Sequence, residues 1–187
     1  MRVIGFVGDI GSGKDSAAEY ICKKYGYRNI SMGDIVREIL KKSGKPENRE
    51  NLDALQKEIV AKHGAEFFAK EVLKKIMLNK LQRVIISGIR RPADAEVPMR
   101  AYGKDFVLVK IEAPAEIRFE RIKAGTGRNR PGDPRTLEEF LKQEKAQYEL
   151  FSLKKTYTYV SHKVDNSGTP EQLEKKLDAL LEKIGFA

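Results

Sequence analysis

Nine residues near the N-terminus restrict the fold more than any others: Gly8-Asp9-Ile10-Gly11-Ser12-Gly13-Lys14-Asp15-Ser16. They follow the apolar run Val3 to Val7, which has strand length, and lead into Ala17-Ala18-Glu19-Tyr20-Ile21, which reads as helix. Three glycines between strand and helix permit a tight turn that aims consecutive backbone N–H groups at one point. The dipole of the following helix favours an anion there. Lys14 then reaches the outer phosphates of a nucleotide as a mobile cation. The P-loop pattern has Ser or Thr directly after this lysine. Asp15 stands there instead, and Ser16 brings a hydroxyl one residue late. Residues 8 to 16 together form the candidate ATP-binding loop.

The rest of the chain alternates strand-like and helix-like segments. Short apolar runs occur at Val84 to Ile86 and Phe106 to Ile111, with weaker strand candidates at Arg28 to Ser31 and Tyr159 to Val164. Between them, Ile35, Val36, Ile39 and Leu40 share a helical face, as do Leu52, Leu55 and Ile59, then Phe68, Val72 and Ile76, then Ile117 and Ile122. A last helix carries Leu173, Leu177, Leu180, Leu181 and Ile184 on one face, opened by the capping pair Thr169 and Gln172 around Pro170. Thr136 with Glu139 opens another. Alternation of this kind predicts an α/β fold with a mostly parallel sheet covered by helices on both faces. Ligands in such sheets bind at the carboxyl ends of the strands.

Composition narrows the function classes. The 187 residues include 36 Lys and Arg against 27 Asp and Glu, a formal net charge of +9, with one cysteine and two histidines. Cys22 closes no internal disulfide, and this His and Cys content makes a poor zinc set. A reducing, cytoplasmic setting is expected. No apolar run approaches the length of a membrane span, so no membrane partner is expected. The positive excess alone is compatible with nucleic acid, but there is no zinc finger, aromatic-studded ribonucleoprotein motif or basic recognition helix, and no nucleic-acid partner is expected.

The residues just after the other strands supply acceptor-side candidates. Asp34 reads either as a general base toward an acceptor hydroxyl or as the N-cap of the helix that begins there, and Arg37 lies one turn on. Gly88, Arg90 and Arg91 follow the third strand, at the same edge, and the two arginines can grip an acceptor phosphate. Arg118 and Arg121, three apart, face the same way on one helix, and Arg128, Arg130 and Arg135 lie in a Gly- and Pro-rich stretch. Arginines that close over a transferred phosphoryl group stabilise its spread charge, so Lys14, Arg121, Arg128 and Arg130 are catalytic candidates beside Asp34. Asn166, which precedes the last helix, borders the nucleotide side together with Arg118. The Tyr148, Phe151, Tyr157 and Tyr159 group reads as packing.

Val3 through Lys14 resembles the phosphate loop of dephospho-CoA kinases, differing mainly at Asp9, and the tail Val164-Asp165-Asn166-Ser167-Gly168-Thr169 is similar to the C-terminal motif of that family. A hydroxyl one residue later than usual, as at Ser16, resembles the adenylate-kinase type of loop, and that resemblance implies Ser16 as the hydroxyl beside magnesium. Ile30 through Arg37 resembles the acceptor-binding segment of adenylate kinases. The order of P-loop, Met-Gly-Asp, Gly-Ile-Arg and the Arg-Phe-Glu-Arg of 118–121 is similar to an archaeal-type group related to both. Ser87 departs from that group, which usually has Asp before Gly-Ile-Arg. The run Arg90-Arg91-Pro92, with Asp94 and Glu96, resembles deoxynucleoside monophosphate kinases.

The resemblance implies a three-layer P-loop NTPase fold with a five-stranded parallel sheet in the order 2-3-1-4-5. It implies a single kinase domain with core 1–33, 81–123 and 136–187, a helical acceptor-binding insertion at 34–80 and a short lid at 124–135. It also implies ATP and Mg2+, and a nucleotide-type small-molecule acceptor. The expected activity is transfer of the γ-phosphoryl group to that acceptor, as in a dephospho-CoA kinase or a nucleotide kinase. Two other readings stay open at this stage: a nucleoside or deoxynucleoside monophosphate kinase, and a regulatory ATP-binding module with weak ATPase activity.

Overall fold

The segment Val3 to Val7 is apolar without interruption because both of its faces are covered. In the computed structural model, which describes residues 1–125 and 134–187, strand β1 (Arg2–Val7) sends Val3 and Val7 into one core. Ile4 and Phe6 enter a second core on the other side. Period-two alternation thus feeds two helical layers rather than one layer and solvent. Strands β2 (Arg28–Ser31), β3 (Arg83–Ser87), β4 (Phe106–Glu112) and β5 (His162–Asp165) complete a sheet in the order β2-β3-β1-β4-β5. Every pairing is parallel. The expected fold class and strand order are those observed.

Helices α2 (Met32–Lys42), α3 (Arg49–His63) and α4 (Phe67–Leu78) lie between β2 and β3, and with α5 (Pro92–Tyr102) they bury Met32, Leu40, Leu52, Phe68, Val72 and Val97 in the first core. Helices α1 (Lys14–Tyr25) and α9 (Pro170–Lys183) cover the other face with Ala17, Ile21, Leu173 and Leu177. Helices α6 (Ala115–Lys123), α7 (Leu137–Phe151) and the short α8 (Leu153–Tyr157) connect β4 to β5. The capping pairs Thr136 with Glu139 and Thr169 with Gln172 both form. Because the strands run in register, Ser31 opposite Ser87 and Glu112 opposite Asp165, their carboxyl ends make one edge. At β1 the chain order reverses, with β3 on one side and β4 on the other, which is where open α/β sheets form their ligand crevice.

Three expectations change. The strand expected from Tyr159 begins at His162, and Tyr159 and Val160 pack instead against the first core. Helix α2 begins at Met32 with Ser31 as N-cap, as soon as Ser31 leaves its pairing with Ser87, so Asp34 sits in the first turn rather than at the cap. In α6 the buried pair is Arg118 and Phe119, not Ile117 and Ile122, which are half-buried. Among the described residues no helix is long and apolar enough to cross a membrane.

The clearest helix of the sequence offers a test of the second core. Leu177 is fully buried between α9, α1 and the sheet. Leu177→Ala is expected to lower the unfolding free energy by about 3 kcal/mol, within the roughly 2–5 kcal/mol of large-to-small core changes. Urea denaturation of the variant, at unchanged m-value, checks it.

Candidate functional site

The glycine-rich loop is held by its carbonyls. Arg118 Nη1 donates to the Ile10 carbonyl at 3.0 Å, and Asn166 Nδ2 donates to the Ser12 carbonyl at 2.8 Å. Since the C=O of one residue and the N–H of the next point to opposite sides of a planar peptide, fixing these two oxygens turns the Gly11 and Gly13 N–H groups the other way. The approach is close enough to exclude a side chain. At Gly13, with φ +90°, a Cβ would stand 2.2 Å from Asn166 Nδ2, and at Gly11, with φ +77°, one would stand 2.7 Å from the Arg118 carbonyl oxygen. Helix α1 begins at Lys14 with no side-chain cap on its first turn, whereas α3, α7 and α9 are closed by Asn48, Thr136 and Thr169. The result is a backbone cradle at a helix N-terminus, suited to an anion.

Lys14 lies across this cradle. Its ammonium donates to the Asp9 carbonyl oxygen at 2.8 Å and approaches the Ser12 hydroxyl at 3.4 Å. Burial pushes its pKa down to about 8, with Arg90 and Arg118 adding to the effect and Asp15 and Asp9 opposing it. Asp15 and Ser16 are exposed in the first turn of α1.

Asp9 is occupied by groups that sequence reading treats as packing. Its Oδ1 accepts from the Tyr148 hydroxyl at 2.8 Å and from the Tyr157 hydroxyl at 2.7 Å, and the two rings meet edge to face. Burial, and then the Asp9 carboxylate, raise both phenols well above their ordinary range, so both remain donors. The carboxylate is thereby tied to α7 and α8.

Arg118 is 4% exposed and belongs to the scaffold. Besides Ile10 it donates through Nε to the Ala113 carbonyl at 2.8 Å, and both terminal nitrogens meet the Glu144 carboxylate. A buried guanidinium so engaged has few donors left for a ligand. Asn166, its backbone N–H bonded to the Glu112 carbonyl at 2.7 Å, likewise stands behind the loop. Arg121 Nη2 reaches the Gly168 carbonyl at 3.4 Å. Arg128 and Arg130 lie outside the described residues.

A second concavity opens beside the cradle, lined by Met32, Gly33, Val36, Arg37, Leu52 and Phe68 on the insertion side. The facing wall carries Gly88, Arg90, Arg91, Asp94 and Gln147. Gly88 abuts the backbone of Met32 and Gly33, bringing the end of β3 against the start of α2. Arg90 Nη1 donates to Gln147 Oε1 at 3.1 Å, and Arg91 Nη1 to Gln56 Oε1 at 3.4 Å. Both guanidinium groups lie over the Phe151 ring, at 5.0 and 4.7 Å. Arg37 pairs with Asp34, which is itself 55% exposed and outside this lining. The structure therefore brings Arg37, Gly88, Arg90 and Arg91 together and leaves Asp34 at the rim. Asp94, Gln147, Gln56 and the two tyrosines are the residues that sequence reading of the site passes over. Only the resemblance at Arg90-Arg91-Pro92 touched Asp94.

Among the described residues no cluster of three or more acidic, His or Cys side chains forms a metal site. The donors near the cradle are Ser16 with Asp15 on α1 and the buried Ser87 at the end of β3. Hydroxyls with one carboxylate suit a magnesium ion that is held chiefly by phosphate oxygens and water.

Comparison with known proteins agrees with this fold. A family model described as "AAA domain" matches residues 7–140. A UPF0200/UPF0201 protein of Archaeoglobus fulgidus is 37% identical over 186 residues, 98% of this chain, and the chain spans 56% of that relative's length. A UPF0200 protein of Thermococcus gammatolerans is 33% identical over 93% of this chain and 90% of its own. Among solved structures, shikimate kinase from Bacteroides thetaiotaomicron superposes with a TM-score of 0.65 at 16% identity, covering 98% of both chains. Shikimate kinase from Acinetobacter baumannii in complex with shikimate gives 0.60 at 14%, over 98% and 94%. At such identities the likeness is one of fold. The chain is a P-loop protein of the kinase fold and belongs to the UPF0200 family.

Proposed function

We propose that the protein transfers the γ-phosphoryl group of ATP to an anionic, nucleotide-type small molecule. The observation that carries this reading is that two anion-suited sites share one sheet edge: the cradle after β1, and the arginine-lined concavity after the neighbouring strands β3 and β2. In this reading Lys14 and the loop N–H groups hold the donor, and Ser16 and Asp15 attend magnesium. Bound ATP supplies the phosphoryl group, and its metal neutralises charge on the phosphates. Arg37 and Arg90 hold the acceptor anion beside the uncapped first turn of α2. The helices of 34–80 serve as the acceptor-binding insertion, and 124–135, with Arg128 and Arg130, as the lid.

The hydroxyl-acceptor reading, in which Asp34 is the base, rests on the nearness of Asp34 to Arg37. The two readings separate by mutation. An ionised phosphate needs no base, so Arg37→Ala is expected to lower kcat/KM at least about a hundredfold, the loss of a charge-assisted hydrogen-bonded contact, and Asp34→Asn by less than about fivefold. A coupled ADP-release assay across mononucleotides and pantetheine-type acceptors measures both. The reverse order would favour the hydroxyl acceptor, and ATP binding without any stimulated turnover would favour a regulatory module.

Lys14 gives a pH signature. Its pKa is low, about 8, in the free protein, and an arriving polyphosphate raises it. Binding therefore takes up a proton above pH 8, and affinity falls by up to about tenfold per pH unit as the pH rises past 8. Calorimetry in buffers of different ionisation enthalpy measures the uptake, and Lys14→Met is expected to abolish both uptake and slope.

A further inference from the structure

The wall of the arginine-lined concavity contains a group that phosphate binding does not use. Asp94 is 3% exposed. Its Oδ2 closes the first turn of α5, accepting from the backbone N–H groups of Arg90 at 3.0 Å and Arg91 at 2.8 Å. Its Oδ1 is sealed from solvent, and no described residue donates to it. Buried polar atoms in folded proteins almost always have a partner, and a carboxylate oxygen only accepts. Arg91, beside it, directs Nη1 to Gln56 and lies over Phe151. The partner of Oδ1 is then either a resident water or a group of the ligand that fills the concavity, whose wall includes Asp94. Asp53 adds a second carboxylate to the same lining, and Leu52, Val36 and Phe68 supply an apolar surface for a flat ring.

Resting on the phosphotransferase reading, we propose that Asp94 determines acceptor specificity. Its Oδ1 accepts a hydrogen bond from an amino group on the body of a mononucleotide whose phosphate lies at Arg37 and Arg90. A carbonyl in the same place would set one acceptor against another, so the pocket selects bases bearing an exocyclic amine over their carbonyl counterparts.

Two probe pairs differ in that exchange: AMP against IMP and CMP against UMP. With a non-hydrolysable ATP analogue present, titration calorimetry is expected to show the amino member of at least one pair binding about tenfold or more tightly than its carbonyl counterpart, the scale of a site whose polar group is left unpaired by the wrong ligand. Asp94→Asn tests the atom itself. The amide oxygen can keep the two backbone N–H bonds of the cap, and the amide nitrogen then stands at the Oδ1 position as a donor. The preference is expected to reverse toward the carbonyl member, with the melting temperature close to that of the parent.

Equal binding within each pair, unaltered by Asp94→Asn while phosphoryl transfer persists, would overturn the proposal and leave Asp94 as a cap with a resident water only. Binding of ATP without binding or phosphorylation of any of the four mononucleotides would overturn the acceptor reading, and this proposal with it.

Discussion

Everything at the ligand edge depends on how the loop carbonyls are anchored. A glycine-rich turn is permissive by itself: without Cβ atoms it can point its N–H groups in many directions, and it loses much entropy on being fixed. The Arg118 guanidinium on the Ile10 carbonyl and the Asn166 amide on the Ser12 carbonyl remove that freedom. Both come from the β4 and β5 side of β1, one from the helix after β4 and the other from the turn after β5. The two anchors are themselves fixed, Arg118 by Glu144 and the Ala113 carbonyl, Asn166 by the Glu112 carbonyl. The cradle is thus preorganised by three strands at once, and the hydrogen bonds an anion would receive need little reordering.

Charge follows the same economy. The net charge of +9 is a property of the whole chain, but at the crevice each cation is balanced differently. Arg118 is engaged by the part-buried Glu144 carboxylate, and Arg91 is flanked by Asp94 and Asp53. Arg37 meets Asp34 at the rim, where solvent screens the pair and makes it cheap to exchange for a ligand anion. Lys14 and Arg90 raise each other's electrostatic cost across the boundary between the two pockets. Repulsion between neighbouring cations of this kind is stored until an anion enters, and it favours ligands that bring negative charge to both pockets together.

The fold was legible in the sequence because its signals are local. Continuous apolar runs mark strands buried on both faces, and Thr136, Thr169 and the three loop glycines mark helix starts within a few residues of what they contact. The parts of the site that stayed hidden are the long-range ones. Tyr148 and Tyr157 reach Asp9 across 139 and 148 residues, and nothing in the spacing of two tyrosines tells a core ring from a hydrogen-bond donor. Arg118 was visible as a charge but not as a buried one, since its partner Glu144 lies on another helix. Of the two readings of Asp34, the cap gives way because pairing of Ser31 with Ser87, a contact between strands, decides where α2 begins.

Asp9 shows why these hidden contacts matter to the chemistry. A carboxylate in a phosphate loop should oppose a polyphosphate, yet here Oδ1 receives two phenolic hydroxyls, and short hydrogen bonds of this kind draw negative charge toward the donors. The same contact gives α7 and α8 a mechanical grip on the loop from the segment that follows 124–135. Any displacement of α7 and α8 must either carry Asp9 with it or break hydrogen bonds that keep a negative charge harmless. Loop geometry and the position of α7 are therefore coupled through one side chain. This coupling, rather than the lysine alone, ties the glycine-rich loop to the helices that follow Thr136.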